Sequence, residues 1–438
     1  MNAGRLTVKL AGFIGGKRVL ILGFGKEGRS TYRVLKEAGG YSRLDVADSN
    51  PAVSSSVTSG ITIIGDKYID LLGDYDIVFK TPGIALPWNI PDTGCIISSQ
   101  ADIFIGEYSA QIIGVTGTKG KSTVSTLLYH TLTSAGRDTV LAGNIGIPVF
   151  DIAGKITPDT AIVVELSCHQ LEYCGHSPSS AVLLNLFEDH LDHYGTFERY
   201  ARAKANIYNH QNARDVLYTH LENLPVTICT DSKVLDVSTA DLPFLSFEDI
   251  GGVRLRGWHN LLNAAFAYDI CRDMGIEDEK FISALRSYKP LPHRLEFVGA
   301  KNGVDFYNDS ISTTVESAIS AVLSVPNAKT LILGGMDRGI DYTPLVDFLL
   351  GCELSTIIGM YASGRRIYDM FLARCGPSGA KRFIYADDLF NAVKIAQKHT
   401  LPGGACLLSP ASASYGNFTN FEERGDIFKE LVTTSEAF

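Results

Sequence analysis

The ten residues 114–123, GVTGTKGKST, constrain this chain more than any other stretch. They sit between an apolar run containing Ile112, Ile113 and Val115 and an amphipathic segment that begins at Val124. A glycine-rich turn between a strand and a helix N-terminus points several backbone N–H groups into one small space, and that space suits phosphate oxygens. Lys121 would reach the β- and γ-phosphates, and the Ser122 hydroxyl would meet a magnesium ion. The first glycine of the usual GxxxxGK[ST] pattern is displaced, because Val115 holds its place. Gly117, Thr118, Gly120, Lys121, Ser122 and Thr123 are thus the expected contacts of ATP, with GTP the second choice.

From Arg18 the chain reads RVLILGFGKEGRSTYRVLKEAGG and then YSRLDVADSN. An apolar strand, a GxGxxG at Gly23, Gly25 and Gly28, an amphipathic helix and a second strand ending in Asp48 make a βαβ unit. On its own that pattern signals a dinucleotide, with Asp48 reading a ribose. Nothing nearby supplies hydride chemistry, so another nucleotide ligand is preferred to a nicotinamide. Strands at 61–64, 77–80 and 95–98 complete the unit, and the turn of Thr81, Pro82 and Gly83 offers a ligand-binding edge. Strands at 160–165 and 181–186, a helix running into Tyr208 and a helix at 261–274 continue the alternation that builds parallel sheets. After KPLPHRLEF the pattern restarts, with strands near 330–333, 356–359, 382–385 and 405–408, and Pro290 and Pro292 mark a hinge. The reading is three α/β domains: Rossmann-like 1–108, a P-loop domain with a parallel sheet at 109–290, and a second Rossmann-like domain at 291–438.

Composition narrows the function. A chain of 438 residues suits two to four domains, since single cores seldom grow past about 250 to 300 residues. A net charge of −9 argues against a general nucleic-acid binder. No apolar run approaches the ~20 residues that cross a bilayer, and the first residues lack a signal-peptide cleavage region, so a cytoplasmic protein is expected. The eight cysteines form no CxxC pair, so reduced thiols are expected and no zinc site is read.

Taken together, GVTGTKGKST, GNIGIP from Gly143, ELSCHQLE from Glu165, LNLFEDHLDHYGTFERYARAKANIY from Leu184, HNLLNAAFAY from His259, LPHRLEFV from Leu291, NDSISTT from Asn308, GGMDRGIDY from Gly334 and LSPASASYGNFTNFEERG from Leu408 resemble the successive signature segments of the Mur ligases. They keep the family's order over nearly the whole chain. The resemblance implies an ATP-dependent, magnesium-requiring acid–amino-acid ligase that works through an acyl phosphate. It implies glutamate, the D enantiomer favoured, joined to UDP-N-acetylmuramoyl-L-alanine in cytoplasmic peptidoglycan synthesis, the process behind cell shape and division. The partners implied are small molecules only, with neither nucleic acid nor membrane, and the chain is expected to act as a monomer.

By position in the matched motifs, Ser122 and Glu165 resemble ligands of a first magnesium and His190 a ligand of a second. Lys204 matches a lysine carried as a carbamate, which turns a repelling ammonium into an anion; Lys121, His190 and Lys204 are the implied catalytic set. Asn260 and Asn263 match adenine-side asparagines, and Arg294 and Asp309 match a pair that faces ATP. Asn144 and Ser167 match positions facing the muramoyl substrate, while Gly25, Lys26, Glu27, Asp48, Thr81 and Gly83 match the edge that holds the uridine diphosphate. Thr313, Arg338, Ser414 and Phe421 match the glutamate site.

Two departures stand out. Ile311 occupies a place where members adding D-glutamate commonly carry lysine, and Lys26 and Glu27 stand where more neutral residues often meet the diphosphate. A sister ligase using L-glutamate or another precursor is therefore the nearest alternative. An NAD-dependent oxidoreductase, and a nucleotide switch without chemistry, are the alternatives from other classes.

Overall fold

The computed structural model describes residues 4–57, 60, 62–64, 70–87, 94–255, 258–325, 327–375 and 382–434. Its first sheet contains β1 (Arg18–Leu22), β2 (Arg43–Asp48), β3 (Thr62–Ile64), β4 (Ile77–Lys80) and β5 (Ile96–Ser98) in the order β3-β2-β1-β4-β5. All pairs are parallel, and the order reverses between β1 and β4. Ligands of such sheets bind at that reversal, off the strand C-terminal ends. The two loops there are the glycine loop after β1 and the Thr81 turn after β4.

The second sheet holds β6 (Ile112–Thr116), β7 (Thr139–Gly143), β8 (Ala161–Glu165), β9 (Ser180–Leu183), β10 (Val216–Thr219) and β11 (Lys233–Asp236), ordered β11-β10-β9-β6-β8-β7 and again parallel. Strand β6 lies between β8 and β9, so the Gly117 loop is flanked by Glu165 at the end of β8 and by the segment that leaves β9. That segment corrects the strand expected at 181–186. β9 stops at Leu183, because Leu184 and Asn185 turn over the glycine loop, where Leu184 donates its N–H to Thr116 O at 3.0 Å. The helix Gly4–Ile14, which the sequence reading did not assign, buries Leu6, Leu10 and Ile14 in an apolar core that runs on through both sheets. The chain splits into two compact units, residues 1–251 with 262–287, and residues 252–261 with 288–438.

The second unit carries β12 (Glu296–Lys301), β13 (Val304–Asn308), β14 (Ala328–Leu333), β15 (Thr356–Met360), β16 (Arg382–Ala386) and β17 (Ala405–Leu408), ordered β12-β13-β17-β14-β15-β16. Only β12 and β13 pair antiparallel. The chain turns back between β13 and β14 to insert β17, so three loops, after β13, β17 and β14, open side by side.

Candidate active site

In the first unit the glycine loop closes onto the helix Lys121–Ser134. Gly120 caps that helix at φ 88, a conformation that costs a side-chain residue strain, and a Cβ there would stand 2.7 Å from Asn263 Oδ1. Asn263 thus lies over the loop; Asn260, three residues earlier on the helix Trp258–Asp273, falls in the second unit. Lys121 Nζ donates to Gly117 O and Thr118 O, both at 3.0 Å, so its ammonium is folded over the loop. Ser122 is buried and Thr123 half-buried in the helix's first turn.

Two groups from other elements meet the same loop. Lys204, on the helix Phe197–Ala205, is buried and donates to Gly117 O at 2.8 Å. Burial, with the nearby Lys121, pulls its ammonium down to about 7, so a large share is neutral amine near neutrality. Glu165 is 1% exposed; its Oε1 accepts Asn144 Nδ2 at 2.8 Å, and its Oε2 is buried with no hydrogen-bond partner among the described residues. A sealed carboxylate oxygen without a donor is costly, and a hard cation bound by oxygen would satisfy it. Magnesium fits this donor set. His190 takes a different neighbourhood, with its ring 4.9 Å from His169 and 6.2 Å from Tyr200.

At the reversal of the first sheet, Gly23 permits a close approach, because a Cβ there would lie 2.1 Å from Thr81 Oγ1. Gly25 has nothing within 4 Å of its missing Cβ and is exposed along with Lys26 and Gly83, which leaves the loop's outer face open to a ligand. Asp48 is turned inward: Phe24 N–H donates to its Oδ2 at 2.6 Å and Asn50 N–H to its Oδ1 at 2.8 Å. Oδ2 thus holds the glycine loop through Phe24, while Oδ1 holds the turn that follows β2. Glu27 also points away from solvent. Gln170 Nε2 donates to its Oε2 at 3.2 Å, Oε1 is sealed, and burial pushes the carboxyl up to about 7. Gln170 also makes a reciprocal cap with Ser167, so Glu27 and Ser167 meet through one side chain. Next to them Lys80, at the end of β4, pairs with Glu172 at 3.0 Å.

In the second unit the three adjacent loops gather the remaining residues. His293 and Leu295 both take positive φ (62 and 43), which holds Arg294 on a strained turn. Asp309, after β13, accepts Leu295 N–H at 3.1 Å and the Ser409 hydroxyl at 2.8 Å. Burial pushes it up to about 6 against those bonds and the charge of Arg294. Arg338, after β14, is exposed, lies 5.9 Å over the Tyr415 ring and has no carboxylate partner among the described residues. A bridge between Met336 and Ala413 ties its loop to that of Ser414, which is buried. Thr313 and Phe421 are half-buried, and Phe421 O accepts the Ser310 hydroxyl at 2.8 Å.

The Mur ligase middle domain family matches residues 115–240. Across the full length, the chain is 32% identical to the UDP-N-acetylmuramoylalanine--D-glutamate ligase of Geobacillus kaustophilus (strain HTA426), covering 95% of this chain and 97% of that one. The chain belongs to the Mur ligase family. It is an ATP-dependent ligase that forms amide bonds. The ligase of the same name from Streptococcus pneumoniae (strain P1031) is also 32% identical, with the same coverage. Among solved structures, the MurF ligase from Thermotoga maritima in complex with ADP shares the fold at 18% identity and TM-score 0.56, covering 97% of each chain. The MurC ligase of the same organism does so at 16% identity and TM-score 0.52, covering 96% of this chain and 100% of that one.

Two residues of this Mur ligase that the motif reading did not assign hold its loops. Asn185 Oδ1 accepts the N–H of Thr118 and of Lys119, and its Nδ2 donates to Lys119 O at 3.1 Å. Arg424 is fully buried without a carboxylate among the described residues; it donates to Ser310 Oγ and O and to Ser412 O at 2.8 to 3.1 Å. Burial pulls its guanidinium down to about 10. An asparagine just past a strand could have been suspected as a loop clamp, whereas Arg424 in a helical EERG gives no sign of pointing inward.

Proposed function

We propose that this ligase joins glutamate, D-glutamate favoured, to UDP-N-acetylmuramoyl-L-alanine in a cytoplasmic step of peptidoglycan synthesis. The identity of 32% over 95% of the chain with ligases named for that reaction carries the reading. In this reading residues 1–108 hold the uridine diphosphate, 109–290 hold ATP and 291–438 hold the amino acid.

An unactivated carboxylate is a poor electrophile, so the γ-phosphoryl is first transferred in line to the muramoyl-alanine carboxylate. Lys121 releases its two loop carbonyls and follows the moving phosphoryl charge, in a site where a fixed donor counts for far more than in water. Ser122 and Glu165 would hold magnesium, which when bound would neutralise phosphate charge. Asn144 keeps Glu165 oriented through Oε1. His190 is assigned to a second metal position. Lys204, as neutral amine, takes up carbon dioxide: its lone pair forms the N–C bond, a proton leaves to solvent, and the resulting carbamate is the anion this position needs. By their positions in the matched motifs, Asn260 and Asn263 are assigned to adenine, and Arg294 and Asp309 to ATP. The glutamate amine then attacks the acyl phosphate, and inorganic phosphate leaves. Thr313, Arg338, Ser414 and Phe421 hold that glutamate.

The test is phosphate release from ATP across a panel of UDP-muramoyl precursors crossed with D- and L-amino acids. Release that requires both UDP-N-acetylmuramoyl-L-alanine and glutamate is expected. Release with another precursor or amino acid alone would replace this substrate assignment.

A further inference from the structure

Near the glycine loop, in the same unit, lies a donor set of which the proposed magnesium chemistry uses His190 alone. Cys168, His169 and His190 each offer one ligand atom, and those three atoms all lie within 4.8 Å of one another. The first two belong to the short helix Cys168–Leu171 just past β8. His190 comes from the left-handed cap, φ 54, of the helix Leu191–Tyr194. Sequence spacing hid the cluster, because no CxxC or HxxxH marks it and its third member arrives a whole strand later. Burial is graded: Cys168 is sealed, His169 half-buried and His190 exposed, so the cluster has a closed floor and a mouth open to solvent.

The surroundings orient the donors. The Tyr194 hydroxyl lies 3.3 Å from His169 Nδ1, and the two rings stack 5.5 Å apart at 8°. Ligating imidazoles are commonly fixed in this way by a partner on the ring. The His193 ring stands 4.4 Å from that of His169 and is tied to Glu172 at 3.4 Å, closing one side.

Donor chemistry selects the ion. A thiolate and two imidazoles are poor ligands for magnesium, which prefers oxygen, and good ones for zinc and its neighbours. We propose that Cys168, His169 and His190 form a three-ligand site for a zinc-class transition ion, with the fourth position left to solvent. The proposal goes beyond the ligase reading and shares only His190 with it. A tetrahedral ion with about 2.3 Å to sulfur and about 2.1 Å to nitrogen keeps its ligand atoms roughly 3.5 Å apart, so the cluster closes through small side-chain rotations, chiefly of exposed His190. On binding, the Cys168 thiol gives its proton to solvent and the sulfur lone pair goes to the metal, while each imidazole binds through an unprotonated nitrogen.

The test titrates chelator-stripped full-length protein with Co²⁺ and then Zn²⁺, without nucleotide or amino acid. One cobalt per chain is expected, with a thiolate-to-cobalt charge-transfer band in the near ultraviolet that Zn²⁺ abolishes by displacement. Cys168→Ser should remove the band, and His169→Ala should weaken cobalt binding at least about 10-fold. No band in the wild type, or a band that survives Cys168→Ser, overturns the site. Should Cys168→Ser fail to fold, unchanged cobalt affinity in His169→Ala overturns it equally. Because no substrate is present, a failed ligase assignment and a failed metal site are read separately.

Discussion

Asn185 Oδ1 accepts the backbone N–H of Thr118 at 3.0 Å, and the same oxygen takes the N–H of Lys119 at 2.9 Å. One side chain from the segment after β9 therefore fixes the middle of the glycine loop between Gly117 and Gly120. Asn185→Ala leaves the Lys119 N–H without this acceptor, at about 1 to 3 kcal/mol when such a group is sealed from water, while the Thr118 N–H keeps only the Asn185 backbone O at 3.0 Å. The loop should lose its shape for phosphate: KM for ATP is expected to rise by about 10-fold or more, while KM for glutamate stays within about twofold. Asn185→Asp keeps the acceptor and should restore part of the ATP affinity. Equal rises in both KM values in Asn185→Ala would mark a general loss of fold instead.

Glu27 gives a pH signature. Its carboxyl titrates near 7 in the folded chain against an ordinary 4.5, with burial as the chief cause. The folded state therefore holds the proton more tightly than the unfolded one. Stability from this group is fully present below about 4.5 and is lost as pH rises through about 7. Glu27→Gln, which keeps an acceptor for Gln170, should be more stable than the wild type at pH 8, by on the order of 2 kcal/mol, and the advantage should vanish near pH 4.5. Thermal melts of both proteins across that range check it. A constant difference in Tm would show that Glu27 does not titrate between the two states.

The contrast between Glu165 and Glu27 shows what was legible beforehand. Glu165 ends an apolar run, AIVVE, and a carboxylate at a strand's C-terminal end in a parallel sheet is placed by the fold itself; the structure puts it one strand from the glycine loop. The strand and helix alternation was readable for the same reason, since period and glycine punctuation are local. Glu27 reads as part of the diphosphate edge, yet its carboxylate is buried against Gln170, 143 residues away. Arg424, whose partners Ser310 and Ser412 lie on two other loops, and the meeting of Cys168 with His190 were hidden likewise. Such pairings depend on how loops from separate strands converge, and no local pattern carries that.

Lys204 should respond to carbon dioxide. Held near 7 by burial and by Lys121, it offers neutral amine where an exposed lysine would offer almost none. Lys204→Ala is expected to lose at least about 10²-fold in turnover, the scale of removing a fixed charge from the phosphoryl-transfer site. Millimolar acetate should return part of that rate by standing in for the missing anion. Protein freed of bicarbonate should slow and then recover on its addition, and mass spectrometry under mild conditions should find the added carboxylate. Activity indifferent to bicarbonate, with no rescue by acetate, would make Lys204 a structural donor to Gly117 O and nothing more.

Arg338 is expected to decide the amino acid. It is exposed on the loop after β14, without a carboxylate partner among the described residues, beside the Ser414 loop to which Met336 is bridged. A planar, permanently charged guanidinium can take a side-chain carboxylate in two parallel hydrogen bonds, and the half-buried Ile311 offers that carboxylate nothing. Glutamine would leave the fork unpaired in a closed complex, so kcat/KM should favour glutamate by about 10²-fold or more. Arg338→Ala should erase that preference chiefly by lowering the rate with glutamate, while KM for ATP changes little. Equal use of glutamine and glutamate by the wild type would remove Arg338 from the site. Handedness is a separate matter, set by where the α-carboxylate and amine lie relative to the acyl phosphate. D-glutamate is expected to turn over faster, and turnover with L-glutamate at or above that rate would reverse the enantiomer while leaving the ligase reaction and the role of Arg338 in place.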